Sequence, residues 1–149
     1  MIGSALPLAA SICAALVDAY GHSADISHEQ ALRACDRVVS VAQDYDVPPA
    51  LAAALTWHES RLDAGAVSSA GARGVLQVMP RNLRVHGPDP LVAGVVVLQR
   101  WMRRSSNVTQ AICRYQAGYR CSPRLMQRAR QIVGMARRLE RITRRGGRT

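Results

Sequence analysis

Glu59, followed at once by Ser60, closes an apolar run. A turn rich in Gly, Ala and Ser then leads to Gln77 and Met79 in the segment 57–80, WHESRLDAGAVSSAGARGVLQVMP. A carboxyl group at the end of an apolar helix is partly desolvated, and the partial negative charge of a helix C-terminus also disfavours its ionised form. Both effects favour the protonated state, which a general acid needs. The plainer alternative is an exposed carboxylate paired with Arg61 or Arg73, which would carry no chemistry. Asp63, the nearest other carboxylate, reads as a loop-capping residue. His58 adjoins Glu59, but consecutive helical residues point apart, so a structural place is expected for it. His22, His28 and His86 have no partner motif and the cysteines no metal spacing, so neither a metal nor a cofactor is expected. Trp57 and Trp101 are read as core residues, with stacking on a ligand as the alternative.

The elements that must hold Glu59 follow from periodicity and punctuation. Ser27 precedes a first turn containing Glu29 and Gln30, after which Ala31, Ala34, Cys35, Val38, Val41, Ala42 and Tyr45 recur at helical spacing. That pattern predicts a capped amphipathic helix ending near Asp46. Pro48 and Pro49 break it, and Pro49 is placed to open the next helix. This second helix, 50–61, is apolar almost all round and should run through the core with Glu59 near its C-terminal end. Residues 63–73 read as loop or short irregular strand, 75–79 as a short helical turn closed by Pro80, and 82–90 as loop. Helices are expected over 91–104, 108–115 and 123–145. The last carries a buried stripe of Leu125, Ala129, Ile132, Val133, Ala136 and Leu139.

A chain of 149 residues that is 48% hydrophobic suits one domain with one core. With no Phe, two Trp and four Tyr, that core must be built from small aliphatic side chains. The expected fold is therefore mainly α, with little or no β structure. All twenty basic residues are Arg, and nine of them lie from position 123 onward against a single acid, Glu140. That end would attract an anionic polymer, or simply form a solvated helix face. No basic helix interleaved with aromatics appears, so no specific nucleic-acid partner is expected. Four cysteines, Cys13, Cys35, Cys113 and Cys121, suit an oxidising compartment but leave the pairing open. Cys113 and Cys121 can pair only if the chain reverses between them, which Gly118 would permit. Residues 1–25 read either as a secretory signal lacking its usual basic start or as a helix packing on the domain at 26–149. Their apolar stretch is too short for a transmembrane segment.

The ordered motifs E-S at 59–60, A-V-S at 66–68, G-A at 71–72, G-V-L-Q-V-M-P at 74–80, D-P at 89–90 and A-x-x-x-Y-Q-A-G at 111–118 carry a resemblance. Together they closely resemble the catalytic domain of soluble lytic transglycosylases, in the goose-type-lysozyme branch of the lysozyme-like fold. The resemblance covers about residues 30–135 and implies cleavage of the MurNAc–GlcNAc bond of peptidoglycan without water. It assigns Glu59 as the lone catalytic acid/base and Ser60 as a residue that helps hold substrate. By the same resemblance Gln77 and Met79 line the saccharide groove, Ser68, Gly71 and Gly74 form the turn that closes it, and Tyr115 hydrogen-bonds near the carboxylate. Three departures stand out: Gln116 where the family usually has Asn, Ala64 for Pro, and Val75-Leu76 for Leu-Met. Gln116 remains a candidate saccharide contact because its longer amide can reach the same ring.

Ordinary glycosidases need a second carboxylate, and substrate-assisted enzymes are an exception. With one candidate carboxyl, the expected course has Glu59 protonating the leaving oxygen while the MurNAc acetamido group stabilises C1. Glu59 then accepts the O6 proton as a 1,6-anhydro ring closes. The expected partners are peptidoglycan glycan strands, with a secretion system or a phage structure as the machine served. The expected setting is the periplasm or cell envelope, or else a phage virion. A protein of another class, a non-catalytic peptidoglycan-binding or assembly protein on the same fold, is the alternative, and Gln116 is its only hint.

Overall fold

The computed structural model describes residues 8–146. Among the described residues it has seven helices and no strand: α1 (Leu8–Tyr20), α2 (His28–Asp44), α3 (Pro49–Ser60), α4 (Pro80–His86), α5 (Pro90–Arg103), α6 (Val108–Ala117) and α7 (Pro123–Gly146). Residues 1–7 of the apolar start and Arg148 of the basic end lie outside the described residues.

α3 is the axis of the domain. Its residues Ala50, Leu51, Ala52, Ala53, Ala54, Leu55 and Thr56 are all buried, and α1, α2 and α7 pack around it. Alanine on every side lets neighbouring backbones approach closely, while Leu51 and Leu55 fill the space between them. A helix apolar all round has no preferred outer face, which is why it sits inside. Pro49 stands in its first turn, where a missing N–H is not needed. α2 starts with a reciprocal cap: Gln30 N donates to Ser27 Oγ at 3.1 Å and Ser27 N donates to Gln30 Oε1 at 2.8 Å.

The outer helices bury one stripe each. α7 buries Ala129, Ile132, Val133, Met135, Ala136 and Leu139 and leaves its arginines in solvent. α1 buries Ile12, Cys13, Leu16 and Val17 against α2, α3 and α7, and a Cys13–Cys35 disulfide joins it to α2. A second disulfide joins Cys113 to Cys121 where the chain reverses at Gly118, whose φ of 61° suits glycine.

Two local expectations fail. Residues 74–77 form a turn instead of a helical turn, and Pro80 opens a helix instead of closing one. α4 therefore occupies part of the segment expected to be loop. None of its residues is fully buried, so it carries no apolar period to be read from the sequence. The link between α3 and α4 folds back on itself through two isolated antiparallel bridges, Val67 with Arg73 and Arg73 with Val78.

α5 supports this link from below. A Cβ at Gly94 would lie 2.7 Å from Leu76 Cδ1 and 2.8 Å from Leu76 Cβ. Gly94→Ala should therefore cost about 2 kcal/mol through overpacking. Urea denaturation of the variant checks this, and a near-native midpoint would mean that the link yields freely.

Candidate active site

Glu59 stands one residue from the end of α3, and the chain turns sharply just beyond it. Arg61 (φ 54°) and Leu62 (φ 70°) both take the left-handed conformation, which costs a non-glycine residue about 1–3 kcal/mol. Full burial of Leu62 offsets that cost and anchors the turn. Ser60 Oγ lies 2.8 Å from Val75 O and 3.2 Å from Thr56 O, so its hydroxyl ties the returning link to the helix that carries Glu59.

The link is braced from within. Ala72 N donates to Ser68 Oγ at 3.0 Å, and Gly74 N donates to Ala66 O at 2.9 Å. Gln77 is itself held at a positive φ of 50°, with its Nε2 donating to Gly74 O at 2.8 Å and Ala66 O at 3.2 Å. Those two bonds compensate for a conformation that a non-glycine residue otherwise avoids. From α6 the Tyr115 hydroxyl donates to Leu76 O at 2.7 Å, locking the link against a second helix.

A cleft of about 430 Å³ opens between these pieces, within the usual range of ligand sites. Gln77, Met79, Trp101, Arg114, Tyr115 and Gln116 line it, and among the described residues no Asp or Glu does. It continues past Asn82, Val97 and Trp101 into a shallower cleft of about 260 Å³. A third cleft, about 370 Å³, lies by Tyr20, Trp57 and His58 on the other side of the α3 terminus. A tighter cavity of about 80 Å³ under Pro90 and Leu91 is too small for a sugar ring.

Glu59 meets the main cleft through Gln116, whose Nε2 donates to Glu59 Oε1 at 3.2 Å. Among the described residues no salt bridge reaches Glu59, so the alternative of an exposed carboxylate paired with Arg61 or Arg73 does not hold. Arg61 instead lays its guanidinium 3.4 Å above the Trp57 ring. Burial raises the Glu59 pKa, while the hydrogen bond from Gln116 and the charge of Arg128 pull the other way. His58 is pushed down to about 4 by burial, then by Arg128 and Arg61, and is neutral at pH 7. Tyr115 is raised well above the usual phenol range by burial and by the Glu59 charge, so it remains a donor. Asp63 accepts from Gly65 N at 2.9 Å and caps its loop, as its position in the sequence suggested.

Of the residues singled out from the sequence, Gln77, Met79, Tyr115 and Gln116 therefore meet at one cleft, with Glu59 at its edge. Ser60 and Ser68 do not line it, and their hydroxyls are engaged in the link behind it. Sequence reading missed Arg114, which lines the cleft with its guanidinium fixed to Arg104 O at 2.8 Å. It also missed Arg128, which donates to His58 O at 3.2 Å. Arg128 lies on the solvated stripe of α7, and nothing in the helical period separates it from its neighbours.

An all-helical domain with a half-buried carboxyl at the end of its central helix, beside an elongated polar cleft, defines a lysozyme-like architecture. The chain belongs to the family described as Transglycosylase SLT domain, whose model matches residues 38–131. It is thus a lytic transglycosylase, and its substrate is peptidoglycan. Two disulfides together with a peptidoglycan-acting domain mark it as extracytoplasmic. Among the described residues no helix is long and apolar enough to cross a membrane.

Proposed function

We propose that Glu59 is the single acid/base of a non-hydrolytic cleavage of the MurNAc–GlcNAc β-1,4 bond that yields 1,6-anhydroMurNAc. The observation that carries this reading is a half-buried carboxyl that, among the described residues, joins no salt bridge and stands beside a cleft lined by no other carboxylate. Glu59 first gives its proton to the departing GlcNAc oxygen as the C1–O bond breaks. The acetamido oxygen of the same MurNAc supports the positive charge at C1, taking the place of the missing nucleophile. The O6 hydroxyl then forms the new bond to C1, and its proton passes to the Glu59 carboxylate, which restores the acid.

Gln77, Met79, Tyr115 and Gln116 border the cleft and are proposed to line the saccharide path. Ser60 and Ser68 are proposed to act by shaping the wall behind it. We further propose that α1 stays with the mature domain, since its removal would break the Cys13–Cys35 bridge and uncover α2 and α3. The enzyme is proposed to open the wall locally for an envelope-spanning secretion machine or a phage particle, in the periplasm or envelope. The run of exposed arginines on α7, suited to an anionic surface, favours such a role. Digestion of purified sacculi, followed by mass spectrometry, tests the chemistry: products lighter by one water than the hydrolytic muropeptides are expected. Reducing-end products would overturn the reading.

A further inference from the structure

Gln116 is the one side chain hydrogen-bonded to Glu59 among the described residues, and it reaches across from α6 to do so. Its other amide atom, Oε1, is buried without a hydrogen-bond partner among the described residues. A buried unpaired acceptor is costly and calls for a compensating reason. Turning the amide over would set Oε1 against a carboxylate oxygen, so the charge on Glu59 fixes which end faces it.

The identity of this partner matters as much as its presence. A cation at this position would hold Glu59 ionised through the whole cycle. An amide carries no charge, and its N–H can bond in either state, more strongly to a carboxylate oxygen and less strongly to the carbonyl-type oxygen of a carboxylic acid. A protonated oxygen is a poor acceptor, and its hydrogen would meet the N–H head on. While Nε2 occupies Oε1, the proton therefore belongs on Oε2.

We propose that Gln116 is a positioning residue that grips Glu59 by Oε1 in both protonation states and so reserves Oε2 as the oxygen that gives and takes the proton. The α6 backbone that carries Gln116 is fixed on both sides of it. The Tyr115 hydroxyl bonds to Leu76 O, and the Cys113–Cys121 bridge closes the turn at Gly118. The other groups acting on Glu59 are Arg128 from α7, which favours the carboxylate, and the neutral Tyr115 phenol from α6. On α3 itself His58 is neutral, and Arg61 is turned onto Trp57. None of these holds one carboxyl oxygen in place. This proposal rests on the reading of Glu59 as the acid/base.

The test combines a direct titration of Glu59, by the carboxyl carbon resonance of the full chain, with the pH dependence of anhydro-product formation. Wild type, Gln116→Met and Gln116→Asn are compared, Met matching the length of Gln without its polar atoms and Asn retaining a shorter amide. Loss of the donor destabilises the carboxylate, so the Glu59 midpoint should rise by about one pH unit in Gln116→Met. Because the reaction starts from protonated Glu59, the alkaline fall of kcat/KM should move up by the same amount. A mispositioned acid should also lower kcat by about ten- to a hundredfold. KM should change by less than about twofold, and Gln116→Asn should fall between wild type and Gln116→Met on every measure. An unmoved midpoint in Gln116→Met, or a loss confined to KM, overturns the proposal. A midpoint that moves while the rate profile does not overturns it through its foundation, the acid role of Glu59.

Discussion

Replacing Glu59 by Gln is expected to lower kcat by at least about 10³-fold, because one side chain supplies both the acid and the base of the reaction. The amide has nearly the shape of the protonated carboxyl, so binding should survive and KM should change little. The same substitution carries a stability signature of opposite sign. Burial raises the Glu59 pKa, so the folded state holds this proton more tightly than the unfolded chain does. Its contribution to stability is complete below the unfolded carboxyl range and declines as pH rises through the folded pKa. At neutral pH Glu59→Gln should therefore melt higher than wild type, and near pH 4 the two should converge. A variant both inactive and less stable at pH 7 would point to a structural part for Glu59, whereas an unchanged rate would remove it from the chemistry altogether.

The second large effect is on stability alone. Replacing Cys13 and Cys35 together with Ala should cost about 3 kcal/mol, as expected for releasing a bridge between residues 22 apart in sequence. In a domain of this size that corresponds to a melting temperature lower by roughly 10 °C. Because α1 packs on α2, α3 and α7 and contributes no residue to the main cleft, the rate of the surviving folded enzyme should be little affected. Cys113 and Cys121 differ in kind, since their bridge closes a separation of only 8 residues but fixes the end of α6 that carries Tyr115 and Gln116. Removing that pair should cost a little less stability, about 2.5 kcal/mol, yet reduce activity as well. Calorimetry and rate measurements on the two double variants check both expectations, and equal effects on rate would contradict this division of labour.

The same contrast between local and distant information explains what was legible in the chain. The Ser27 cap, Pro49 and the apolar spacing within α2 and α7 are local signals, and the helices they predict form with ends within a few residues of those expected. α3 was readable as a core helix because apolar residues surround it on every side. α4 was not, since Pro80 reads equally well as a stop or as the first residue of a helix. None of its seven residues is fully buried, so no apolar stripe could decide the matter.

At the site, the residue types of Glu59, Gln77, Met79 and Tyr115 were apparent from their order, but their bonds were not. Tyr115 is spent on Leu76 O, 39 residues away, and Glu59 finds its partner in Gln116, 57 residues away. Contacts at such separations are set by how α3, α6 and the link between α3 and α4 pack together. No local pattern encodes them. Gln116 illustrates the consequence: in sequence it is a departure from the usual Asn, and in the fold it is the neighbour that touches the acid.

The claim on which the rest depends is that one carboxyl group and no water complete the reaction. Digestion of sacculi in water enriched in oxygen-18, with the muropeptides examined by mass spectrometry, measures this directly. The mechanism predicts 1,6-anhydro products carrying no label from solvent, since the oxygen that reaches C1 is the sugar's own O6. Reducing-end MurNAc with one labelled oxygen at C1 would contradict it, because water rather than the sugar's own O6 would then have attacked C1.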